Sequence, residues 1–276
     1  MTQPSISIPS SGYPVQCRNL VYHPPHQPHR KILDDITFDV KAGEFVGIVG
    51  ENGAGKSTLL GAIAGELIST SGEVEVAGQR IDRPINRRID DVGIVHQLAD
   101  LDFVEQESIV RNVAFRQHNN GCHPGRFWAC SVQYRAKVAA DLSKFAPKLQ
   151  EDVEKLVMYL SGGGRQILSL AIAIHLEHRE RRCRLLLLDE HTAGLDHKNA
   201  QAVMQYTVDQ AREVGTSVLM ATHRHEDVIQ HCDKVIILRK GRAVGPLPVG
   251  DVATVDALRR IIETGEPTDT GTESHG

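Results

Sequence analysis

Long apolar runs are missing from this 276-residue sequence. No stretch approaches the roughly 18 apolar residues needed to cross a bilayer. The longest candidate, Ile167–Ile174, is broken by Ser169 and followed by His175. The chain alone therefore forms no channel or permease. Positive charge is not in excess either. Lys and Arg number 31 against 35 Asp and Glu, a net charge of −4, which argues against a general nucleic-acid binder. Five cysteines (Cys17, Cys122, Cys130, Cys183 and Cys232) are odd in number and scattered. They fit a reducing cytosol better than a disulfide framework. Residues Met1 to Pro14 have no basic start and no apolar block, so they do not read as a secretory signal. No repeat with a period of 20–50 residues is visible.

What is present supports a packed core. Hydrophobic residues make up 41% and charged residues 24%, and the length allows one or two domains. Residues 1–14 read as a Ser- and Pro-rich flexible leader and 266–276 as a tail, leaving a body over 15–265. Within it, apolar or alternating runs predict strands at Val15–Val21, Ile36–Val40, Phe45–Val49, Val74–Val76, Val92–Val95, Leu185–Asp189, Ser217–Ala221 and Val235–Leu238. Longer periodic segments predict helices at Lys56–Glu66, Ile109–Arg116, Arg135–Phe145, Gly163–Leu176, Lys198–Arg212 and Val255–Thr264. Strands interleaved with helices imply an α/β fold with a partly parallel sheet. The stretch from about 99 to 160 has no strong strand signal and reads as a helical insertion into that body.

The strongest local signal is Gly50-Glu51-Asn52-Gly53-Ala54-Gly55-Lys56-Ser57-Thr58. It fits G-x-x-x-x-G-K-[ST] and lies between a predicted strand and a predicted helix, the context the motif requires. Glycines let the backbone wrap close to phosphates. The free N–H groups and dipole of the helix start favour an anion. Lys56 is placed to hold the β- and γ-phosphates, Ser57 a Mg²⁺ ion and Thr58 a further phosphate oxygen. Further on, Leu185-Leu186-Leu187-Leu188-Asp189-Glu190 reads as a central parallel strand, apolar on both faces, that ends in two carboxylates. Ligands bind at such carboxyl ends. Asp189 is the candidate Mg²⁺ ligand and Glu190 the candidate base for an attacking water.

A second anion site is written into Leu160-Ser161-Gly162-Gly163-Gly164-Arg165-Gln166, where Ser161 is a plausible N-cap for an apolar helix. The order of phosphate loop, Leu-Ser-Gly-Gly segment, apolar strand with Asp-Glu, and then Thr-His resembles the ATP-binding subunit of ABC transporters over about residues 15–245. The resemblance implies a P-loop NTPase core with an antiparallel β subdomain and an inserted α-helical subdomain. It implies that Ser161, Gly162 and Gly163 contact the γ-phosphate of an ATP held by a second copy of the chain, in a head-to-tail dimer around two ATP. Gln97 looks like the residue that senses Mg²⁺ and the attacking water, and His223 like the switch histidine on the γ-phosphate. Asp196 resembles part of the loop that crosses the dimer interface, and it also suits a helix N-cap. Tyr22 resembles the aromatic that stacks on adenine, although Pro24, Pro25 and Pro28 lengthen the turn that follows.

The resemblance further implies ATP and Mg²⁺ as cofactors and integral-membrane permease subunits on separate chains. The protein would then lie peripherally on the cytoplasmic face of the membrane. Two positions depart from the family pattern. Gly164 stands where Gln is usual, and His191 where Pro or Ala is common. The run Leu185–Asp196 looks closest to importers that work with an extracytoplasmic substrate-binding protein, which suggests uptake of an amino-acid-like solute. The alternatives are the ATPase of an assembly complex of the iron–sulfur type, an exporter ATPase, and a regulatory subunit without turnover. Of the 14 histidines, His23, His26 and His29 recur among prolines, and His118 and His123 cluster with Cys122 and Cys130. Without a C-x₂-C pair these read as solvated loop residues rather than a zinc site. Trp128 reads as local core, with partner docking as the alternative.

Overall fold

The computed structural model describes residues 14–81, 92–97, 102–119, 131–176, 183–252 and 254–265. Leader residues 1–13, the tail, and Cys122, His123, Trp128 and Cys130 lie outside the described residues.

Two sheets form the frame. The first, in the order β2-β1-β4-β5, is antiparallel and comprises β1 (Val15–Tyr22), β2 (Leu33–Val40), β4 (Ser71–Val76) and β5 (Gln79–Arg80). The second has six strands. It contains β3 (Phe45–Val49), β6 (Val92–Val95), β7 (Leu185–Asp189), β8 (Ser217–Ala221), β9 (Lys234–Arg239) and β10 (Arg242–Pro248), in the order β10-β9-β3-β8-β7-β6. All neighbours in it run parallel except β10, an antiparallel edge.

The apolar run of β7 has a simple cause. Successive side chains of a strand point to opposite faces. Leu185 and Leu187 enter the core shared with the antiparallel sheet, while Leu186 and Leu188 enter the core on the far side. Both faces are covered, so no polar alternation appears. The near core also takes Leu59, Leu60 and Ile63 of α1 (Lys56–Ile63). The far core takes residues of α4 (Gly162–Ala171), α5 (His197–Val214), α6 (His225–His231), α7 (Val249–Val252) and α8 (Val255–Thr264).

A third apolar cluster joins α2 (Ile109–Asn119), α3 (Val132–Phe145) and one side of α4. Leu168, Ala171 and Ile172 belong to it, whereas Leu170, Ala173 and Ile174 belong to the far core. The α4 segment, the signature helix that Ser161 caps, thus presents apolar side chains to two cores.

Boundaries differ from the sequence reading at five helices, with α2 running on to Asn119 and α5 extended to His197–Val214. α1 stops at Ile63, since Gly65 turns left-handed (φ +74°) and Glu66 N–H bonds back to the Gly61 carbonyl. α3 starts at Val132, capped by Ser131. The α4 helix passes into a π-helical turn over Ile172–Leu176. Four elements had no clear periodic signal: β5, α6, α7 and β10.

Candidate active site

The chain between β3 and α1 is shaped for close approach. Gly53 and Gly55 adopt φ of +79° and +106°, which side chains resist. At Gly50 a Cβ would stand 2.2 Å from the Leu238 carbonyl oxygen on β9. Lys56 opens α1 and is 6% exposed. Its ammonium donates to the carbonyls of Gly50 (3.0 Å) and Glu51 (3.3 Å). The charge is held within its own loop, beside the free N–H groups of the helix start. Asn52 and Gly53 are exposed at the tip of that loop and Ala54 is buried beneath it, with Ser57 and Thr58 on the first turn of α1.

The parallel strands deliver the other groups from their carboxyl ends. β7 ends at Asp189, whose carboxylate takes a hydrogen bond from the Ser57 hydroxyl. Burial pushes the Asp189 pKa above the usual carboxylate range, and the Ser57 bond only partly offsets this. Its Oδ1 is buried with no hydrogen-bond donor. An orphaned carboxylate oxygen beside a hydroxyl is a donor set suited to a hard divalent cation such as Mg²⁺.

Glu190 follows in a left-handed conformation, φ +46°. That geometry costs a non-glycine residue about 1–3 kcal/mol and persists only where the surroundings hold it. Here the Glu190 N–H is bonded to the Ala221 carbonyl at 2.9 Å. The carboxylate accepts from Gln97 Nε2 (3.4 Å) and faces His223 Nδ1 at 3.3 Å. Gln97 lies just beyond β6 and His223 just beyond β8. Three strands and one helix therefore bring Lys56, Ser57, Gln97, Asp189, Glu190 and His223 together.

Ser161, Gly162 and Gly163 lie elsewhere. Ser161 is exposed, and its hydroxyl accepts from the Gly164 N–H at 3.1 Å as the N-cap of α4. Cβ atoms built on Gly162 and Gly163 would touch Leu195 and Asn199. Asp196 caps α5, accepting from the Asn199 N–H at 3.1 Å and from the Asn199 side chain. These bonds hold its carboxyl below the usual range. Among the described residues no hydrogen bond joins this group to the phosphate loop. Tyr22, at the end of β1, is 8% exposed and lies in the core cluster between the sheets.

Two buried networks border the site. Asp102 is fully buried at its side chain. It accepts from His96 Nδ1 (2.7 Å), Arg116 of α2 (3.2 Å) and Ser169 of α4 (2.6 Å). Burial opposes its charge, but His96 and Arg116 outweigh that and hold its pKa low. The hydrogen bond to Asp102, then that to Glu66, lifts His96 to about 9. His191 is the reverse case: it is buried and pushed down to about 4. Its ring meets the Thr207 hydroxyl at 3.2 Å, and its carbonyl accepts from Gln166 of α4. Sequence reading marked His191 only as a departure and missed Asp102, Arg116 and Ser169, because no spacing rule links them.

A family model described as ABC transporter matches residues 33–193, more than half of the chain. The chain belongs to the ABC transporter family. It is 32% identical over 235 residues to a ribose import ATP-binding protein of Rhizobium etli, covering 84% of this chain and 43% of that protein. The chain thus spans less than half the length of that relative. It is 32% identical over 225 residues to the tyrosine transport ATP-binding protein of Clostridioides difficile, covering 80% of this chain and 85% of that one. Among solved structures it is similar to cbiO1 from Clostridium perfringens, part of the ABC transporter complex cbiONQ. That likeness has a TM-score of 0.71 at 25% identity and covers 92% of this chain and 96% of the other. The α/β architecture is that of an ABC ATP-binding cassette, a family of ATPases. Against the family pattern Gly164 remains notable: a Cβ there would stand 3.2 Å from the Ser161 hydroxyl.

Proposed function

We propose that this chain binds and hydrolyses Mg-ATP and drives a transporter whose membrane-spanning permease subunits are separate chains. The observation that carries this reading is the cluster around Glu190, with Gln97 and His223 on its carboxylate and Asp189 and Ser57 beside it. Lys56 and the loop over Gly50–Thr58 hold the phosphates, and Ser57 and Asp189, with Gln97, hold the metal. A bound Mg²⁺ supplies charge neutralisation on the phosphates. Glu190 orients a water and accepts its proton, while Gln97 and His223 fix the carboxylate, Gln97 towards the attacking water and His223 towards the γ-phosphate.

The exposed Ser161 at the start of α4, which among the described residues has no hydrogen bond to the phosphate loop of its own chain, supports a head-to-tail dimer. A second copy would then supply the signature contact to each ATP, together with the loop around Asp196. The helices α2 and α3, in the stretch read as a helical insertion, support a subdomain that meets the permease. Among the described residues no helix is long and apolar enough to cross a membrane, which supports peripheral attachment at the cytoplasmic face. The import and tyrosine-transport names of relatives support uptake of a small, amino-acid-like solute with an extracytoplasmic substrate-binding protein.

The test is Glu190→Gln. It is expected to leave ATP affinity intact, to trap a dimer on size-exclusion chromatography with ATP, and to lower turnover by about 10²-fold or more. Turnover near that of the parent protein would remove Glu190 from its role.

A further inference from the structure

We propose that Asp102 is a positioning residue that ties the Gln97 end of β6 to the signature helix α4, so that nucleotide contact at Gln97 is passed to Ser161–Gly163 through one buried carboxylate. The inference rests on the ATPase reading above and goes beyond it, since Asp102 touches neither the phosphate loop nor Glu190.

The geometry is that of a junction. Three elements converge on a single side chain with no solvent exposure. From the β6 end, His96 contributes its ring at 2.7 Å and its backbone N–H at 3.4 Å. From α2, Arg116 donates at 3.2 Å, and its other amine donates to the Ile94 carbonyl within β6, also at 3.2 Å. From α4, the Ser169 hydroxyl donates at 2.6 Å. His96 also faces Glu66, just past α1, at 3.6 Å. Gln97 is the next residue after His96, and Ser169 lies two helical turns from the Ser161 cap.

A buried carboxylate with several ionic and hydroxyl donors has few alternative arrangements, because losing any one leaves a buried polar group unsatisfied. Displacement of the β6 end must therefore either carry α4 with it or break the junction. That makes the link stiff where the surrounding contacts are apolar and tolerant of small slips.

The test compares the parent with Asp102→Asn, Ser169→Ala and the double variant Asp102→Asn/Arg116→Gln. Each is assayed for ATP affinity, for kcat and KM, and for ATP-induced hydrogen-exchange protection of residues 45–63 and 161–171. The double variant also removes the buried Arg116 guanidinium, whose contact with Asp102 loses its charge partner in Asp102→Asn. The expected result is unchanged ATP affinity and unchanged protection of 45–63 in every variant. Protection of 161–171 is lost and kcat falls about tenfold in both Asp102 variants, within the range reported for interior coupling changes, with a smaller loss in Ser169→Ala. The double variant regains melting temperature but not kcat. Parent-like kcat and 161–171 protection in Asp102→Asn would overturn the proposal, as would turnover in the double variant that recovers along with its melting temperature. A parent protein with no ATP protection at 45–63 would instead overturn the ATPase reading, and this proposal with it.

Discussion

Lys56 illustrates how much a single residue can carry. Its ammonium is satisfied by two loop carbonyls, so the loop is ordered around a charge it does not neutralise. Lys56→Ala removes that charge and is expected to weaken ATP binding by about 10–100-fold, the scale of one or two charge-assisted hydrogen bonds. Equilibrium nucleotide titration checks this, and unchanged affinity would count against the phosphate-loop assignment. The motif made Lys56, Ser57 and Asp189 legible because the chemistry of phosphate and Mg²⁺ demands those residue types at that spacing. Tyr22 shows the opposite. An aromatic near the first turn is compatible with stacking on a base, and only the inward-facing positions of β1 show that it lies in the core cluster.

Among the elements, β6 and the turn that follows α4 pack backbone against backbone. A Cβ on Gly93 would lie 2.6 Å from the Ala173 carbonyl oxygen, in the π-helical turn. A backbone carbonyl cannot rotate away as a side chain can. Gly93→Ala is therefore expected to cost about 1–3 kcal/mol, lowering the melting temperature by about 2–4 °C per kcal/mol. Thermal unfolding checks this; a melting temperature equal to the parent's would mean that the turn yields freely. β6 itself was readable from its apolar run and α4 from its length and Ser161 cap. α6 and β10 were not. α6 is two turns long with only Asp227 and Val228 buried, too short to show a period. β10 is an edge strand carrying Gly245 and Pro246, with one neighbour and no alternation to detect.

At the scale of the whole molecule, half-buried His96 and buried His191 set opposite limits on pH stability. His191 is lowered to about 4 by burial, below its unfolded value near 6.5. Its contribution is complete above that value and is lost as pH falls from about 6.5 towards 4. His96 is raised to about 9. Its contribution is complete below about 6.5 and is lost as pH rises through 9. The histidine-dependent part of stability therefore peaks near neutrality. In melting-temperature profiles from acid to alkaline pH, His96→Gln is expected to flatten the alkaline arm and His191→Gln the acid arm. An alkaline arm in His96→Gln identical to the parent's would refute the His96 assignment.

By itself the sequence determined the local chemistry of this protein. The glycine spacing, the lysine, the paired carboxylates after four leucines and the cap before the signature helix each follow from short-range rules that need only neighbouring residues. It also determined the α/β class, because strand and helix periods alternate along the chain. Only the tertiary structure decided which distant groups meet: Gln97 and His223 on Glu190, Ser57 on Asp189, and His96, Arg116 and Ser169 on Asp102. Those meetings depend on strand order and on how closely α4 packs against β6. Both are set by burial of whole faces, and no spacing in the chain records them.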